Sequence, residues 1–476
     1  MDRISDSGSD DTRSIRVGGT DLDKAEAKYL KMTTEPVRKL VCGFAVPSIV
    51  CMLVTSIYNM ADTYFVSRLN TQSVAAVGIL FSYMGIIQAM SFFFGHGSGN
   101  YISRALGARK TDDARKMVST GLLTAMSVSV LIAVVSALFR DPFLRLLGST
   151  PTILPYARSY FFYLILGTPF ISGSLVLNNQ MRLQGNAMMS MAGILSGCCL
   201  NMLLDPLFIF GFGMGVSGAG LATAVSQMTS FFILLNLSGR RGGIKVCISS
   251  FTPTSAMYKE IAAGGLPSLA RQGLMFLSIM CLNNLAKNYG DASVAAFSVV
   301  SRVMSIANSI MIGFGQGFQP VCGFNFGARK YGRVRSALGF CIVVATVFCA
   351  SVAVLGYVFA PEIISVFDSS SDGGIMAMGT RIMRYQCLAY PLAGVIVMTN
   401  MFLQNIRKTI PAVIVAASRQ GLFFIPFVCL GTLLFGVRGL MLAQPFSDLC
   451  AFIVALPILA ANVKGLGSTS SSAQAS

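Results

Sequence analysis

The sequence of 476 residues contains no tryptophan, a single histidine and few charged side chains. Only 12% of its residues are Asp, Glu, Lys or Arg, about half of the charged fraction of a typical soluble domain. Hydrophobic residues make up 54% of the chain, and its mean hydropathy is +0.68. This composition excludes an ordinary soluble protein and indicates a helical protein that crosses a membrane several times.

Several kinds of chemistry are also missing from the sequence. It contains no P-loop motif, so we expect no ATP hydrolysis by this chain. Its twelve cysteines show no CxxC spacing, and most of them lie in apolar runs, which argues against disulfides and zinc. No group of residues resembles a catalytic site. We therefore expect no enzyme activity, no cofactor and no nucleic-acid partner.

The apolar residues are gathered in twelve runs, each long enough to cross roughly 30 Å of hydrocarbon. The predicted spans are 40–66, 74–102, 117–139, 157–178, 188–210, 217–237, 261–286, 294–323, 334–359, 383–403, 411–435 and 439–462. Sixteen Lys and Arg residues lie in or beside one alternating set of connections, against eight in the other set. Because basic connections stay in the cytoplasm, we expect a multi-pass protein of the cell membrane with both termini cytoplasmic.

The two halves of the chain repeat each other at an offset of 220 residues. Gly107–Lys110 and Gly327–Lys330 share the sequence GARK, and Ser73–Ala76 and Ser293–Ala296 share SVAA. Each half holds an even number of spans, so the halves have the same orientation, related by a pseudo-twofold axis along the membrane normal. The predicted fold is an all-α integral membrane protein of two six-helix bundles.

The same features predict the boundaries of these parts. The bundles occupy residues 33–238 and 259–463, and a cytoplasmic linker, 239–258, joins them. Tails that lack hydrophobic periodicity, 1–32 and 464–476, are predicted to be disordered.

Three acidic residues, Asp62, Asp205 and Asp448, fall at membrane depth, where each costs roughly 2.5–3.5 kcal/mol on insertion scales. Asn201 lies four residues before Asp205, on the same helix face. The positions that correspond to Asp62 and Asp205 in the second half carry no acid. Any ion chemistry should therefore lie in the first half, although each Asp could instead serve only to bond a neighbouring helix.

Further polar side chains follow the same helices at spacings of three and four residues. They could converge on a hydrated pocket and a substrate cavity. The candidate cavity residues are Tyr58, Asn59, Gln88, Asn179, Ser226, Gln227 and Gln316. Asp448 and the basic residues Arg271, Arg302 and Arg419 have no partner that the sequence identifies.

Four stretches together resemble the MATE (multidrug and toxic compound extrusion) family over residues 33–463. They are Asp62–Val66, Ile102–Arg109, Asn201–Pro206 and Gly315–Pro320. The chain is most similar to the bacterial branch of MepA-type exporters. The resemblance implies a rocker-switch antiporter for multidrug efflux, associated with antibiotic resistance, that exchanges organic cations for protons or sodium.

The resemblance also implies an ion site in the first bundle, formed here by Asp62, Asn178, Asn201, Asp205 and Thr223. The chain departs from the branch that carries acids in the second bundle, since its seventh and tenth spans hold none at membrane depth. We expect protons as the coupling ion, because a single buried carboxylate can hold one. Sodium remains the alternative, with Asp62, Asn201, Asp205 and Thr223 as ligands.

The expected function is proton-coupled export of amphipathic cationic drugs by a monomer embedded in the bilayer. A lipid-linked sugar flippase of the same superfamily is one alternative, although such proteins tend to have more spans and a more basic cavity. A membrane receptor or channel is the other, and an internal two-bundle repeat suits a channel poorly.

Overall fold

The computed structural model describes residues 21–240, 242–366 and 373–473, which form sixteen α-helices and no strand. The first eight are α1 (Asp21–Thr34), α2 (Val37–Ser67), α3 (Thr71–Gly107), α4 (Thr111–Leu138), α5 (Arg140–Leu146), α6 (Leu154–Leu183), α7 (Ala187–Pro206) and α8 (Val216–Ser238). The others are α9 (Ser255–Ala286), α10 (Asp291–Gly327), α11 (Tyr331–Val358), α12 (Ala360–Ser365), α13 (Gly373–Asn405), α14 (Thr409–Ala417), α15 (Phe424–Phe435) and α16 (Val437–Ala473).

Twelve helical segments among the described residues are long and apolar enough to cross a membrane. Six belong to each half: α2, α3, α4, α6, α7 and α8 in the first, and α9, α10, α11, α13, α14 joined to α15, and α16 in the second. The prediction of an all-α, twelve-span membrane protein is confirmed.

The internal repeat extends to the backbone. Helices α3 and α10 both have 37 residues, and α4 and α11 both have 28. Arg109 and Arg329, equivalent in the repeat, adopt the left-handed conformation with φ of 59° and 57°. Gly215 and Gly436, just before α8 and α16, have nearly identical dihedral angles, with φ of 59° in each. The two halves therefore share one fold.

Short π-helical turns interrupt one span in each half. In the first half, Pro206 ends α7 and is followed by the π turn Leu207–Gly211, because a proline cannot donate the next helical hydrogen bond. In the second half, the π turn Ser418–Leu422 lies between α14 and α15 and carries Arg419. Such turns are frequent at functional sites.

At one end of the molecule, called here the closed end, helices of the two halves meet through glycines. A methyl group at Gly97 of α3 would lie 2.2 Å from the carbonyl oxygen of Ile261 in α9. One at Gly317 of α10 would lie 2.4 Å from Cα of Ala45 in α2. Only glycine permits backbones to approach this closely, so both contacts depend on the missing side chains.

Polar bonds reinforce the closed end. Arg104 of α3 forms an ion pair with Glu260 of α9 at 3.0 Å, and Arg407 pairs with the other oxygen of the same carboxylate at 2.6 Å. The Ser103 hydroxyl donates to the Pro320 carbonyl at 3.3 Å. These bonds join the first half to the second at the end where the connections α3–α4 and α10–α11 lie.

Towards the opposite end, called the open end, the halves separate. Among the described residues, the hydrogen bonds that cross between halves reach no further than Ser56–Ser309, 2.8 Å, and Gln88–Gln272, 3.1 Å. Nearer the open end than these bonds, the side chain of Met60 on α2 is 42% exposed. The molecule is therefore closed at one end and opens into a central cleft at the other.

Helix α1 packs across the closed end, which corrects the predicted disorder of residues 1–32 from Asp21 onward. Met32 is buried, and its carbonyl accepts a hydrogen bond from Asn325 of the second half. The Lys28 amine donates to Asn186 Oδ1 of the first half at 2.9 Å, and burial lowers the pKa of Lys28 to about 7. The helix thus contacts both halves, a long-range packing that local composition does not reveal.

The second tail, 464–476, is predicted to be disordered, but it is helical up to Ala473, where α16 ends. Residues 1–20 and 474–476 of the two tails lie outside the described residues. The bundle boundaries otherwise remain a prediction.

Replacing Gly317 with Ala should destabilise the protein, because the new methyl group meets backbone atoms that cannot rotate away. We expect a loss of about 1–3 kcal/mol, the usual cost of overpacking. Gly339 of α11 is the matched control, since nothing lies within 4 Å of a methyl group there. Thermal unfolding of the purified variants should show a lower midpoint for Gly317→Ala and an unchanged or higher one for Gly339→Ala. Equal midpoints would contradict the close approach at the closed end.

Candidate functional site

Two carboxylates meet inside the first bundle, near the open end. Asp62 lies on α2, Asn201 and Asp205 on the last turns of α7, and Thr223 on the second turn of α8. All four side chains are buried, with exposures of 5% or less. We call Asp62, Asn201, Asp205 and Thr223 the acid cluster, and they are four of the five residues predicted to bind the coupling ion.

The Asn201 side chain connects two of the helices. When its amide is oriented to satisfy both neighbours, Nδ2 donates to Asp205 Oδ2 at 2.9 Å and Oδ1 accepts from the Thr223 backbone N–H at 3.3 Å. In the reverse orientation Nδ2 lies 3.5 Å from Thr223 Oγ1, and the amide oxygen faces the carboxylate. An ionised carboxylate only accepts hydrogen bonds, so the first orientation belongs to ionised Asp205.

Both carboxylates retain unused bonding capacity. Oδ1 of Asp62 and Oδ1 of Asp205 are buried and have no hydrogen-bond partner among the described residues. The two carboxylates are close enough to interact electrostatically. The phenols of Tyr58 and Tyr160 lie beside Thr223. Two buried acids with free oxygens can take up a proton or a small cation.

The oxygens of the acid cluster also suit sodium in type, since carboxylate, amide and hydroxyl oxygens are hard ligands. Among the described residues no group of three or more His, Cys, Asp or Glu side chains could hold a metal ion. A sodium site would therefore depend on the Asn201 and Thr223 oxygens in addition to the two acids.

The structure places Asn178 away from the acid cluster. Its Nδ2 donates to Ser190 Oγ at 2.7 Å, and the same hydroxyl donates back to the Asn178 carbonyl. Asn178 lies about 27 Å along α6 from Tyr160, at 1.5 Å per residue. Asn178 therefore fastens the closed-end turns of α6 and α7 together, and Tyr160 is the α6 residue that approaches the acids.

The residues predicted for the substrate cavity are divided among several places. Tyr58 adjoins the acid cluster, while Asn59 is exposed on the next position of α2. Gln227 accepts a hydrogen bond from Ser174 within the first bundle at 3.0 Å, and the Ser226 hydroxyl bonds to its own helix. Asn179 is also buried inside the first bundle, where its Oδ1 accepts from Arg182 at 2.6 Å, and of the predicted set only Gln88 and Gln316 line the cavity between the halves.

That central cavity has a volume of about 290 Å³ and lies mostly against the second half. Four methionines are among the residues that line it, and their flexible side chains suit ligands of varied shape. Its lining includes Met52, Gln88, Phe92, Arg271, Met275, Asn308, Met311, Gln316, Met401 and Arg419. Sequence reasoning expected a cavity for cations, but the charged groups that line it are arginines.

Asp448, whose role the sequence left open, pairs with one of these arginines. Its Oδ1 accepts from Arg419 Nε and from Gln444 Nε2, each at 2.9 Å. The Asp448 side chain is 3% exposed and that of Arg419 is 14% exposed. The pair joins the π turn to α16 and neutralises both charges. Arg302, by contrast, is exposed on α10.

A chain of polar side chains crosses between the halves beneath the cavity. Arg182 Nη2 lies 3.3 Å from His96 Nε2, and His96 Nδ1 lies 3.0 Å from Ser268 Oγ. Because arginine only donates, Nε2 must accept, and Nδ1–H then donates to Ser268. Ser268 Oγ donates in turn to Gln404 Oε1 at 3.3 Å. The histidine of this relay is therefore uncharged and helps to hold the halves together.

Sequence reasoning missed two of these residues. The predicted span 157–178 leaves Arg182 in a connection, whereas α6 continues to Leu183 and buries it. Tyr160 stands near a predicted span boundary, where aromatic residues are common at the membrane surface. Its position therefore gave no signal of a buried site.

These features define a class of protein. Two like bundles enclose a cleft that is shut at one end, and buried ionisable groups lie at membrane depth in both halves. This is the architecture of a secondary transporter that exposes a central site alternately to either side.

Comparisons with known proteins identify the family. The MatE family model matches residues 47–207 and 267–430. The chain is 28% identical over 419 residues to the multidrug export protein MepA of Staphylococcus haemolyticus strain JCSC1435, covering 87% of this chain and 92% of the relative. The chain belongs to the MATE family and is a multi-pass membrane transporter, not an enzyme.

Solved structures agree with this assignment. The crystal structure of a MATE protein in complex with MaL6 superposes with a TM-score of 0.87 at 26% identity, covering 93% of this chain and 99% of that one. The outward-facing conformation of a multidrug resistance MATE family transporter gives a TM-score of 0.86 at the same identity and coverage. The predicted fold and family are both confirmed.

Replacing Asp448 with Asn should destabilise the protein by about 3–5 kcal/mol, because Arg419 would keep a buried charge without its partner. The double variant Arg419→Gln with Asp448→Asn should recover much of this loss. Asp141→Asn is the matched control, since Asp141 forms an exposed ion pair with Arg158 and such pairs contribute at most about 1 kcal/mol. Thermal unfolding measures all three. Equal effects of Asp448→Asn and Asp141→Asn would contradict the buried pairing.

Proposed function

We propose that this transporter exports amphipathic organic cations, drugs among them, in exchange for protons, with the acid cluster as the proton site. The observation that carries the proposal is the pair of buried carboxylates, Asp62 and Asp205, each with an oxygen that has no partner among the described residues. A burial of this kind favours the protonated, neutral form of a carboxylic acid, and a second carboxylate nearby favours it further. Relatives named multidrug export proteins support the type of substrate.

Asn201 provides a physical link between protonation and conformation. When Asp205 is ionised, Asn201 Nδ2 donates to it. When Asp205 is protonated, its O–H can donate to the amide oxygen instead, and the amide turns over. The rotation breaks the bond from the Thr223 backbone N–H to Asn201. Protonation thus changes how α7 is bonded to α8, next to the π turn that interrupts this span.

The proposed cycle uses this change to alternate access. In the state with the open end accessible, a proton binds to the acid cluster and a cationic substrate leaves. Separation of the halves at the closed end then exposes the site to the other side, where the proton departs and a new cation enters. A ligand shifts such an equilibrium only through its different affinity for the two states, and the bonding of Asn201 supplies that difference.

The closed end is proposed to face the cytoplasm, which places both termini there. The distribution of Lys and Arg among the connections supports this orientation. The described conformation is then outward-open, and the proposal takes a single chain as the functional unit.

The flippase alternative receives partial support from the central cavity, because Arg271 and Arg419 line it. Two observations weigh against it. Arg419 is neutralised by Asp448, and the described residues contain twelve candidate spans, fewer than we expect of a flippase. A receptor or channel would not require buried carboxylates beside a two-bundle cleft, so proton-driven export remains the proposal.

Replacing Asp62 or Asp205 with Asn should abolish proton-driven export, because an amide cannot take up and release a proton. The measurement is efflux of a cationic dye from proteoliposomes under an imposed pH gradient. Leu282, equivalent to Asp62 in the repeat, provides the matched control: Leu282→Gln should affect stability more than coupling. Full dye efflux by both Asp variants would show that the acid cluster does not couple transport to protons.

Replacing Thr223 with Ala should separate proton coupling from sodium coupling. The hydroxyl can serve as a sodium ligand but does not carry a proton at physiological pH. Under the proton mechanism the variant keeps substantial efflux, with a shifted pH dependence, and sodium changes the rate little. A sodium-stimulated rate that collapses in Thr223→Ala would instead make the acid cluster a sodium site. Parallel assays with sodium and with potassium salts provide the comparison.

A further inference from the structure

The central cavity contains an arginine that no described residue neutralises. Arg271 lies midway along α9 and lines the cavity. Its guanidinium forms no hydrogen bond or ion pair with any described residue, and its Nε is fully shielded from solvent without a partner. An arginine at this depth cannot reach the membrane surface along its own side chain, so its charge has to be matched by water or by a counter-charge within the cavity.

The charges that surround Arg271 offer no such match. Arg182 of α6 and Arg419 of the π turn both lie close enough to act electrostatically on Arg271, and both are positive. Asp448 of α16 bonds to Arg419, and His96 of α3 is uncharged in the relay described above. No acidic side chain from any described element lines the cavity. Arg271 and Arg182 therefore leave two positive charges without a counter-charge.

Amide N–H donors of Gln88 and Asn308 also line the central cavity. Gln272 donates to Gln88 Oε1 at 3.1 Å, which leaves the Gln88 amide N–H groups available. Asn308 accepts from the Tyr390 hydroxyl at 3.4 Å, which leaves its own N–H groups available. A guanidinium with nearby amide N–H groups is the donor set that binds a carboxylate, sulfonate or phosphate.

We propose that the central cavity is a binding site for an amphipathic organic anion, whose oxyanion group binds Arg271. The apolar body of the ligand packs against the soft wall formed by Met52, Phe92, Met275 and Met311. The site lies between the halves, mostly against the second, and is distinct from the acid cluster. Export of the bound anion depends on the proposed proton-driven transport. Binding of the anion does not depend on it.

Two sources could supply this chemistry, a small soluble compound that bears an acidic group or an anionic lipid. Both present an oxyanion on an apolar body, so both can bind Arg271.

The test compares fluorescent probes that share one apolar body. Purified full-length protein in an uncharged detergent is titrated with dansylglycine, an anion, with dansylamide, which is neutral, and with monodansyl-ethylenediamine, a cation. Wild-type protein should bind dansylglycine about tenfold more tightly than dansylamide, a difference of about 1.4 kcal/mol. Salt should weaken the binding of the anion alone, because its affinity depends on charge.

Variants assign the preference to Arg271. Arg271→Gln should lower dansylglycine affinity about tenfold and leave dansylamide affinity unchanged, and Arg271→Lys should retain much of the anion preference. Arg302→Gln is the matched control, since Arg302 is an exposed arginine of the same half and should not matter. If Arg271→Gln does not fold, the wild-type comparison and Arg271→Lys still decide the question.

Two further arms separate the outcomes. Phosphatidylglycerol that displaces dansylglycine, where phosphatidylcholine does not, would identify a lipid as the source and still support the site. The double variant Asp62→Asn with Asp205→Asn should bind dansylglycine normally, even if export is lost, so failure of the proton mechanism would leave this proposal standing. Equal wild-type affinity for the three probes, or an unchanged dansylglycine affinity in Arg271→Gln, would overturn it.

Discussion

A charge that is buried at membrane depth must find a partner, and the arrangement of this transporter follows from how each charge meets that requirement. Asp448 and Arg419 neutralise each other and join two helices. Arg182 bonds to Asn179 and to the uncharged His96. One oxygen of Asp62, one of Asp205 and the guanidinium of Arg271 find no partner among the described residues. These unsatisfied groups are the points at which protons and ligands are proposed to bind, because a mobile partner completes them.

The two halves share a scaffold but not their chemistry. The repeated backbone turns at Arg109 and Arg329, and the glycine contacts of the closed end, serve both bundles alike. The first bundle alone contains the acid cluster, whereas the second presents arginines to the central cavity. Because the halves are joined by ion pairs and close backbone contacts at the closed end, a change in one bundle can reach the other through that interface. The His96 relay lies within it.

Much of this organisation could be predicted from the sequence. Hydrophobic runs specified the twelve spans, and helical spacing brought Asn201 and Asp205 together. The sequence predicts Asn178 at the ion site, but the structure places it away from the acids. Its neighbours along α6 do not reveal how far it lies from them in three dimensions. Helix α1 and Arg182 were missed for a related reason: their burial depends on contacts with distant segments, such as Lys28 with Asn186, which local composition does not encode.

The exchange of a proton for a substrate is the central claim, and it can be measured directly as proton release on drug binding. Purified wild-type protein in a weakly buffered solution at neutral pH is mixed with a saturating cationic dye, and the pH change is followed with an indicator. The account predicts release of about one proton per bound dye, and none from the double variant Asp62→Asn with Asp205→Asn. Dye binding without proton release in the wild type, or equal release from the double variant, would contradict it.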